Sequence, residues 1–164
     1  MKFLKEVREN PGLLPKLLII IFRFGYFVYH YIKLPIIRQF LIIIYRLLDL
    51  LIVKLLLNCD ISGKTDIGYG FKIYHPYGIF INDSAKIGDN CTVRGQVTIG
   101  NKGWKGNKCP VLLDNIEIGV GAKIIGAVII ESGSQIGTNA VVTKSFPKNS
   151  ILVGIPAVNL NSKD

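Results

Sequence analysis

The sequence is poor in the residues that build cross-linked frameworks. Its 164 residues contain three cysteines, two histidines, one methionine and one tryptophan. The cysteines, Cys59, Cys91 and Cys109, are odd in number and have no paired spacing, so the sequence predicts no disulfide framework. Because free thiols persist where the surroundings are reducing, we expect a cytoplasmic location.

Acidic residues are also scarce, with 11 Asp and Glu against 20 Lys and Arg and a net charge of +9. Most of the excess lies in residues 1–58, where nine cations face three acidic residues. Clustered cations favour an anionic membrane surface or a nucleic acid. The cations stand singly among aliphatic residues and no nucleic-acid-binding motif is present, so we predict no nucleic-acid partner.

The apolar N-terminal third lacks a long uncharged run. Between Leu13 and Leu57 the longest stretch without a charge is Phe24–Ile32, nine residues, whereas a membrane span needs about 20. The pattern therefore predicts two or three helices broken near Pro15 and Pro35. Two interpretations remain open: the helices lie at an anionic membrane surface, or they pack on the rest of the chain or on sister subunits.

From Asp60 onward aliphatic residues recur with a period of six, which an α-helix cannot place on one face. A small or β-branched residue often stands two positions earlier. A triangular coil of three six-residue sides would turn both columns inward. The aliphatic column comprises Ile61, Ile67, Ile73, Ile81, Ile87, Val93, Ile99, Leu112, Ile118, Ile124, Ile130, Ile136 and Val142, and the second column includes Ala85, Cys91, Val97, Ala122, Val128, Ser134 and Ala140.

The register breaks twice. The step is eight between Ile73 and Ile81 and thirteen between Ile99 and Leu112, so residues 101–110 are predicted to leave the coil as a loop. Inserted loops on such coils usually lie on the binding face, and Trp104 either covers a substrate there or packs at the loop tip. We expect three parts: a basic apolar helical region (1–58), a mostly β coil (59–157) and a C-terminal tail (158–164).

The coil resembles the serine acetyltransferase group of hexapeptide-repeat acyltransferases over about three-fifths of the chain. The resemblance implies a left-handed parallel β-helix, a homotrimer, acetyl-CoA as co-substrate and no metal. It is carried by Cys59-Asp60-Ile61, His75-Pro76-Tyr77-Gly78-Ile79, Val97-Thr98-Ile99-Gly100, Lys108-Cys109-Pro110, Ile118-Gly119-Val120-Gly121-Ala122-Lys123, and the ending Ser145-Phe146-Pro147 with Gly154-Ile155-Pro156-Ala157.

In that group a histidine, oriented by an aspartate fifteen positions earlier, deprotonates the acceptor hydroxyl, and His75 and Asp60 have this spacing. An imidazole with a pKa near about 6.5 can take that proton at neutral pH. His75 could instead be a polar coil residue, and Asp60 a cap of the first turn.

The resemblance also implies the remaining contacts of the site. Lys108 either binds the cofactor or is simply a solvated cation. Cys109 has no histidine of its own and is not expected to act as a nucleophile. The residues expected to bind the cofactor are Gly100, Asn101, Lys108, Val120, Gly121 and Thr138, and those expected to bind substrate are Tyr74, Tyr77 and Cys109.

The chain departs from the serine enzymes where they hold the carboxylate of serine. Tyr74 replaces an acid and Lys108-Cys109-Pro110 replaces Arg-His-Pro. The short basic region also replaces a large helical domain, as in the branch that O-acetylates sugars in exopolysaccharide, capsule or colanic acid assembly. We therefore predict a saccharide O-acetyltransferase whose acceptor can be lipid-linked, peripheral at the inner face of the cell membrane. Serine acetylation and a non-catalytic β-helix scaffold remain alternatives.

Overall fold

A computed structural model describes residues 2–103 and 106–161 of the chain, so Trp104 lies outside the described residues. Three α-helices come first: α1 (Lys2–Glu9), α2 (Leu13–His30) and α3 (Pro35–Leu48), which continues into a π-helical segment, Asp49–Leu56. The prediction of helices is confirmed. Pro35 opens α3, where its missing N–H costs nothing, but Pro15 lies inside the first turn of α2 and marks no break.

Fifteen strands of two or three residues follow the helices. Among the described residues the first fourteen are each one side of a coil, bounded by corners. They are β1 (Asp60–Ile61), β2 (Asp66–Ile67), β3 (Lys72–Tyr74), β4 (Phe80–Ile81), β5 (Lys86–Ile87), β6 (Thr92–Arg94), β7 (Thr98–Gly100), β8 (Val111–Leu112), β9 (Glu117–Ile118), β10 (Lys123–Ile125), β11 (Ile129–Ile130), β12 (Gln135–Ile136), β13 (Val141–Val142), β14 (Ile151–Val153) and β15 (Val158–Asn159).

The strands stack into three faces of a prism. Face A is β1-β4-β7-β10-β13, face B is β2-β5-β8-β11, and face C is β3-β6-β9-β12-β14 with β15 at its end. All pairs are parallel except β14 with β15. The predicted parallel β-helix is therefore confirmed, and β15 places residues 158–159 against the last turn.

The strand register shows what the two sequence breaks do. A turn of three hexads is 18 residues, as in the pairing of Phe80 with Thr98 and of Lys123 with Val141. Asp60 pairs with Phe80, 20 positions on, and Thr98 pairs with Lys123, 25 positions on. The extra residues leave the prism at its corners as a two-residue bulge and a longer loop, so the strands above and below stay in register.

Both predicted inward columns form the core. Every residue of the aliphatic column is at most 4% exposed, and Cys91 and Ser134 in the second column are fully buried. Each fully buried aliphatic side chain contributes about 1.5–3 kcal/mol relative to exposure. Stacking therefore stabilises a fold whose strands are too short to be stable singly.

Helices α1 and α2 cover the open first turn, where unpaired strand edges would otherwise be exposed. Arg23 donates to both carboxylate oxygens of Glu6 (2.7 Å each), to Ile67 O (2.8 Å) and to Gly68 O. Glu6 accepts from Phe71 N–H at 2.9 Å. This buried group of charges pairs the backbone of the first turn with the helical region.

Helix α2 is the one helix among the described residues that is long and apolar enough to cross a membrane by length and composition, with a mean hydropathy of 1.4. Its Leu18, Ile19 and Phe22 are nevertheless buried at 2% exposure or less, and its Arg23 is bound to the β-helix. Helix α2 thus packs on the coil, as the second interpretation of the helical region expects. Helix α3 leaves an apolar face open, with Ile36 at 85% exposure.

Candidate active site

The corner between faces C and A carries His75. Five residues, from His75 to Ile79, join β3 to β4, whereas three join β6 to β7 in the next turn. The two extra residues form a bulge in which the carbonyl of His75 accepts from Tyr77 N–H (2.7 Å). His75 itself has a left-handed backbone, with φ of 54°, and Gln96 at the same corner of the next turn has φ of 62°, so the conformation belongs to the corner. The His75 side chain is exposed.

Two buried neighbours hold this bulge in place. Cys59 Sγ accepts from Ile79 N–H (3.3 Å), and its S–H can donate to the carbonyl of Pro76 or of Leu57 (both 3.4 Å). On the other side, a Cβ added to Gly95 would lie 2.6 Å from the carbonyl oxygen of His75. The Cys59 thiol therefore supports one side of the bulge by hydrogen bonds. On the other side, the close approach of the His75 carbonyl requires a glycine at position 95. The role of Cys59 was missed at the sequence level, although it adjoins Asp60.

Asp60 begins β1 directly beside the bulge. Its N–H donates to Ile79 O (2.8 Å), and its exposed carboxylate lies 3.3 Å from Lys54 Nζ. Within the described residues no hydrogen bond joins Asp60 to His75. The orienting role predicted for Asp60 thus stays a prediction. In the structure the carboxylate of Asp60 pairs with Lys54, and Lys54 Nζ also lies 3.8 Å from Asp49.

A shallow groove of about 260 Å³ runs along face A from Asp60 to the corner that follows β7. Phe80 and Thr98 line it, together with two residues predicted to bind the cofactor, Gly100 and Asn101. Main-chain and aliphatic surface of this kind suits an extended ligand that lies along strand edges. The structure thus brings the predicted orienter and part of the predicted cofactor site into one groove.

Three of the other predicted cofactor residues lie along the same edge as His75. Successive turns of the corner between faces C and A are joined by hydrogen bonds from Gln96 N to Tyr77 O, from Gly121 N to Gly95 O and from Asn139 N to Val120 O. Val120 and its neighbour in the next turn, Thr138, are exposed on this edge. Val120, Gly121 and Thr138 therefore form a column that starts at the His75 bulge.

The remaining predicted residues divide between the two edges of face A. Tyr77 lies in the bulge, and Tyr74 ends β3 with Arg94 over its ring (5.6 Å). Lys108 and Cys109 belong to the loop at the opposite edge, which is separated by a six-residue side of roughly 15–20 Å. Burial and the nearby Asp83 raise the pKa of the Cys109 thiol, which opposes a thiolate nucleophile. Within one chain, therefore, Tyr74 and Tyr77 lie on one edge of face A and Cys109 lies on the other, so the predicted substrate-binding residues do not come together.

A metal-dependent reaction would need a set of side chains that can bind the ion. Among residues 2–103 and 106–161, no group of three or more His, Cys, Asp or Glu side chains could hold an ion. The groups that the site does present are an imidazole, carboxylates and main-chain amides, which suit proton transfer and oxyanion stabilisation.

Comparison with known proteins agrees with this geometry. No family model matches the chain. The coil is 41% identical over 98 residues to a serine acetyltransferase of Bacillus pumilus, a match that covers 59% of this chain and 45% of that one. A chain of Escherichia coli K12 assigned by name to colanic acid biosynthesis, the acetyltransferase WcaB, is 29% identical over 156 residues, 92% of this chain and 94% of that one. Over its coil the chain is similar to serine acetyltransferases, and over nearly its whole length it is similar to WcaB.

Solved structures show the same fold. The serine acetyltransferase of Brucella abortus superimposes with a TM-score of 0.81 at 22% identity, covering 97% of this chain and 67% of that one. The same protein has been solved in complex with coenzyme A and superimposes with a TM-score of 0.79. The chain spans about half the length of the Bacillus enzyme but nearly all of WcaB, so of these two sequence matches only the one to WcaB includes the helical region.

Proposed function

We propose that the protein is an acetyl-CoA-dependent O-acetyltransferase that acts on a hydroxyl of a cell-envelope saccharide. The observation that carries the proposal is the two-residue bulge, which presents an exposed His75 beside Asp60 at the end of the face A groove. The relatives named acetyltransferases support the reaction class.

The bulge supplies what the reaction needs. His75 takes the proton of the acceptor hydroxyl while its oxygen attacks the thioester carbonyl, forming a C–O bond. The tetrahedral oxyanion is stabilised by a main-chain N–H, and its collapse breaks the C–S bond. The imidazolium then returns the proton to the CoA sulfur, so no net charge is left on the protein. Asp60 would favour the imidazolium form.

The donor is proposed to lie along the groove and the column described above. Gly100 and Asn101 line the groove, and Val120, Gly121 and Thr138 line the corner that rises from His75. Lys108, exposed at the far edge, is free to meet a phosphate, which a lysine binds as a point charge. A pantetheine arm placed against these strand edges would end near the bulge.

A homotrimer would explain why the predicted residues divide between two edges. In a closed three-fold ring, one edge of each subunit meets a different edge of its neighbour. The loop with Lys108 and Cys109 of one copy would then approach the His75 bulge of the next. Each ring would contain three sites, and each site would be completed by two copies of the chain.

Two observations favour a saccharide acceptor. The match to WcaB includes the helical region as well as the coil, and Tyr74, Lys108 and Cys109 stand where serine enzymes are expected to hold an amino-acid carboxylate. Serine remains a second candidate because the identity to serine acetyltransferases is higher over the coil, at 41%. The acceptor panel below separates the two.

The outward face of α3 is proposed to lie on an anionic membrane surface. Ile36, Phe40 and Ile43 are 59% to 85% exposed on the side opposite the buried Ile42 and Tyr45. No acidic residue occurs in Pro35–Leu48, which carries two arginines. An exposed apolar strip on a helix without acidic residues suits the headgroup layer, which the apolar side chains enter, and the excess of cations in residues 1–58 favours anionic lipids.

The two histidines of the chain allow a matched test. His75→Ala should reduce acceptor-dependent release of CoA thiol by about 10²–10⁴-fold, the usual contribution of a general base. His30→Ala should leave the rate unchanged, because His30 hydrogen-bonds the carbonyl of Tyr26 and stacks on its ring within the same helix. The assay compares a panel of sugars with serine and with no acceptor, and sedimentation equilibrium checks that both variants keep three copies.

Three results would count against the proposal. Equal rates for the two variants would remove His75 from the reaction. Thiol release with serine alone would make serine the substrate. No release with any acceptor would favour the non-catalytic scaffold.

A further inference from the structure

A second cleft, of about 280 Å³, adjoins Asp60 on the side away from the groove. It lies between the end of α2, α3, the π-helical segment and the first corner of the coil. The residues that line it include Tyr29, Tyr45, Arg46, Lys54 and Lys64. None of these residues was singled out by the repeat pattern or by the resemblance to known enzymes.

The walls of the cleft are fixed by close contacts between the helices and the coil. The hydroxyl of Tyr45 accepts from Gly63 N–H at 2.8 Å. A Cβ on Gly63 would lie 2.6 Å from the backbone of Gly25, and a Cβ on Gly25 would overlap the Tyr45 ring. The rings of Tyr29 and Tyr45 meet edge to face at 5.8 Å. Two aromatic rings are thus held rigidly at the side of the cleft.

The charges in the cleft are not balanced. Lys54 lies between two carboxylates, Asp49 and Asp60. Arg46 and Lys64 have no carboxylate within ion-pair distance in the part of the chain that the structure describes, and Lys64 sits over the Tyr29 ring at 5.5 Å. The cleft therefore has acceptors for hydroxyl groups and two cations with no anionic partner.

Asp60 lines both this cleft and the groove on face A. Transfer between two substrates requires that they meet at one point. A ligand in the cleft and a donor in the groove would meet at Asp60, next to the His75 bulge. The cleft therefore offers an acceptor a position beside the proposed donor groove, and the inference rests on the proposed function.

We propose that this cleft is the acceptor subsite and that it takes a saccharide bearing an anionic group, either a uronate carboxylate or a phosphate. The tyrosine rings offer flat apolar surface to the C–H face of a sugar. The carboxylates accept from sugar hydroxyls, and Arg46 with Lys64 pairs with the anionic group. An arginine suits both anions because its planar fork matches carboxylate and phosphate alike.

The test uses the full-length protein with three probes: glucose, glucuronic acid and glucose 1-phosphate. Titration calorimetry measures binding, and thiol release from acetyl-CoA measures transfer. Charge-assisted hydrogen bonds should make at least one anionic probe bind about tenfold more tightly than glucose. The preferred anion then identifies a uronate or a phosphate acceptor.

The variant Arg46→Gln with Lys64→Gln should abolish that preference while leaving the KM for acetyl-CoA unchanged. The matched control is Lys144→Gln with Lys148→Gln, which removes two exposed cations between β13 and β14, at the opposite end of the coil from the cleft, and should keep the preference. The control separates the cleft from the overall charge of +9.

Equal binding of all three probes, or a preference that survives in the Arg46 and Lys64 variant, would overturn the subsite even if some acceptor is acetylated. An anion preference that depends on the cleft but is accompanied by no thiol release with any acceptor would overturn the acceptor role together with the proposed function. The two failures are distinguished by the calorimetry.

Discussion

The buried charges that join the helical region to the coil give the sharpest test of the fold. Arg23 is 6% exposed and Glu6 is 1% exposed. Replacing Arg23 by Met keeps much of the apolar stem but leaves the Glu6 carboxylate buried without its cation. It also leaves the carbonyls of Ile67 and Gly68 without their donor. Breaking a buried pair in this way costs about 3–5 kcal/mol.

This cost is a large part of the total stability of a domain, which is about 5–15 kcal/mol. At roughly 2–4 °C per kcal/mol for a chain of this size, Arg23→Met should lower the unfolding midpoint by roughly 6–20 °C. The measurement is thermal or urea unfolding followed by circular dichroism, at one fixed protein concentration because an oligomer is stabilised by mass action.

The matched control is Lys72→Met. Lys72 Nζ lies 3.2 Å from Glu9, but the two side chains are 38% and 32% exposed, and an exposed pair that solvent screens adds little to stability. Arg23→Met should therefore cost several times more than Lys72→Met. If the two variants unfold within 1 °C of each other, the helices do not hold the first turn through this pair and the reasoning fails.

Two further outcomes are expected. Burial raises the pKa of Cys91 to about 11, above the unfolded value of about 8.5. The stabilisation that comes from keeping the buried thiol neutral is complete below the unfolded pKa and is lost as the pH rises through 11. Cys91→Ala should therefore reduce the fall in unfolding free energy above pH 9 by on the order of 3 kcal/mol, measured by urea unfolding from pH 8 to 11, and identical pH profiles would contradict this. In α3, Phe40→Ser with Ile43→Ser should weaken sedimentation with phosphatidylserine vesicles about tenfold or more, because two apolar anchors of about 1.5–3 kcal/mol are lost. Ile129→Ser on face B should leave vesicle binding unchanged. Vesicle binding that depends neither on the salt concentration nor on the two α3 substitutions would contradict a membrane-facing α3.

The sequence was sufficient for the repeat because the inward columns are a local property. A residue such as Ile99 or Val142 faces the axis whatever lies elsewhere, since its position within the hexad fixes the side of the strand it occupies. The register breaks were equally visible, and they located both the His75 bulge and the loop. The resemblance added the hand of the coil and the expected roles of His75 and Asp60.

The helical region was harder to predict from the sequence. Pro35 marked the start of α3 correctly, but Pro15 did not mark a break, because a proline is tolerated in the first turn of a helix. Charged side chains such as those of Arg23 and Glu6 are mostly exposed in folded proteins. In the structure, instead, the two charges neutralise each other and hydrogen-bond to the backbone of the first turn. No pattern within the helices could reveal these contacts.

The sequence by itself determined the period, the core columns, the position of the bulge and the separation into a basic helical region and a coil. Only the tertiary structure decided that Cys59 supports the bulge, that the predicted site residues divide between two edges of face A, and that Arg46 and Lys64 share a cleft with Asp60. The reason is physical: repeat positions are set by neighbouring residues along the chain, whereas these contacts join residues from separate helices and turns, which meet only when the prism has been wound and capped.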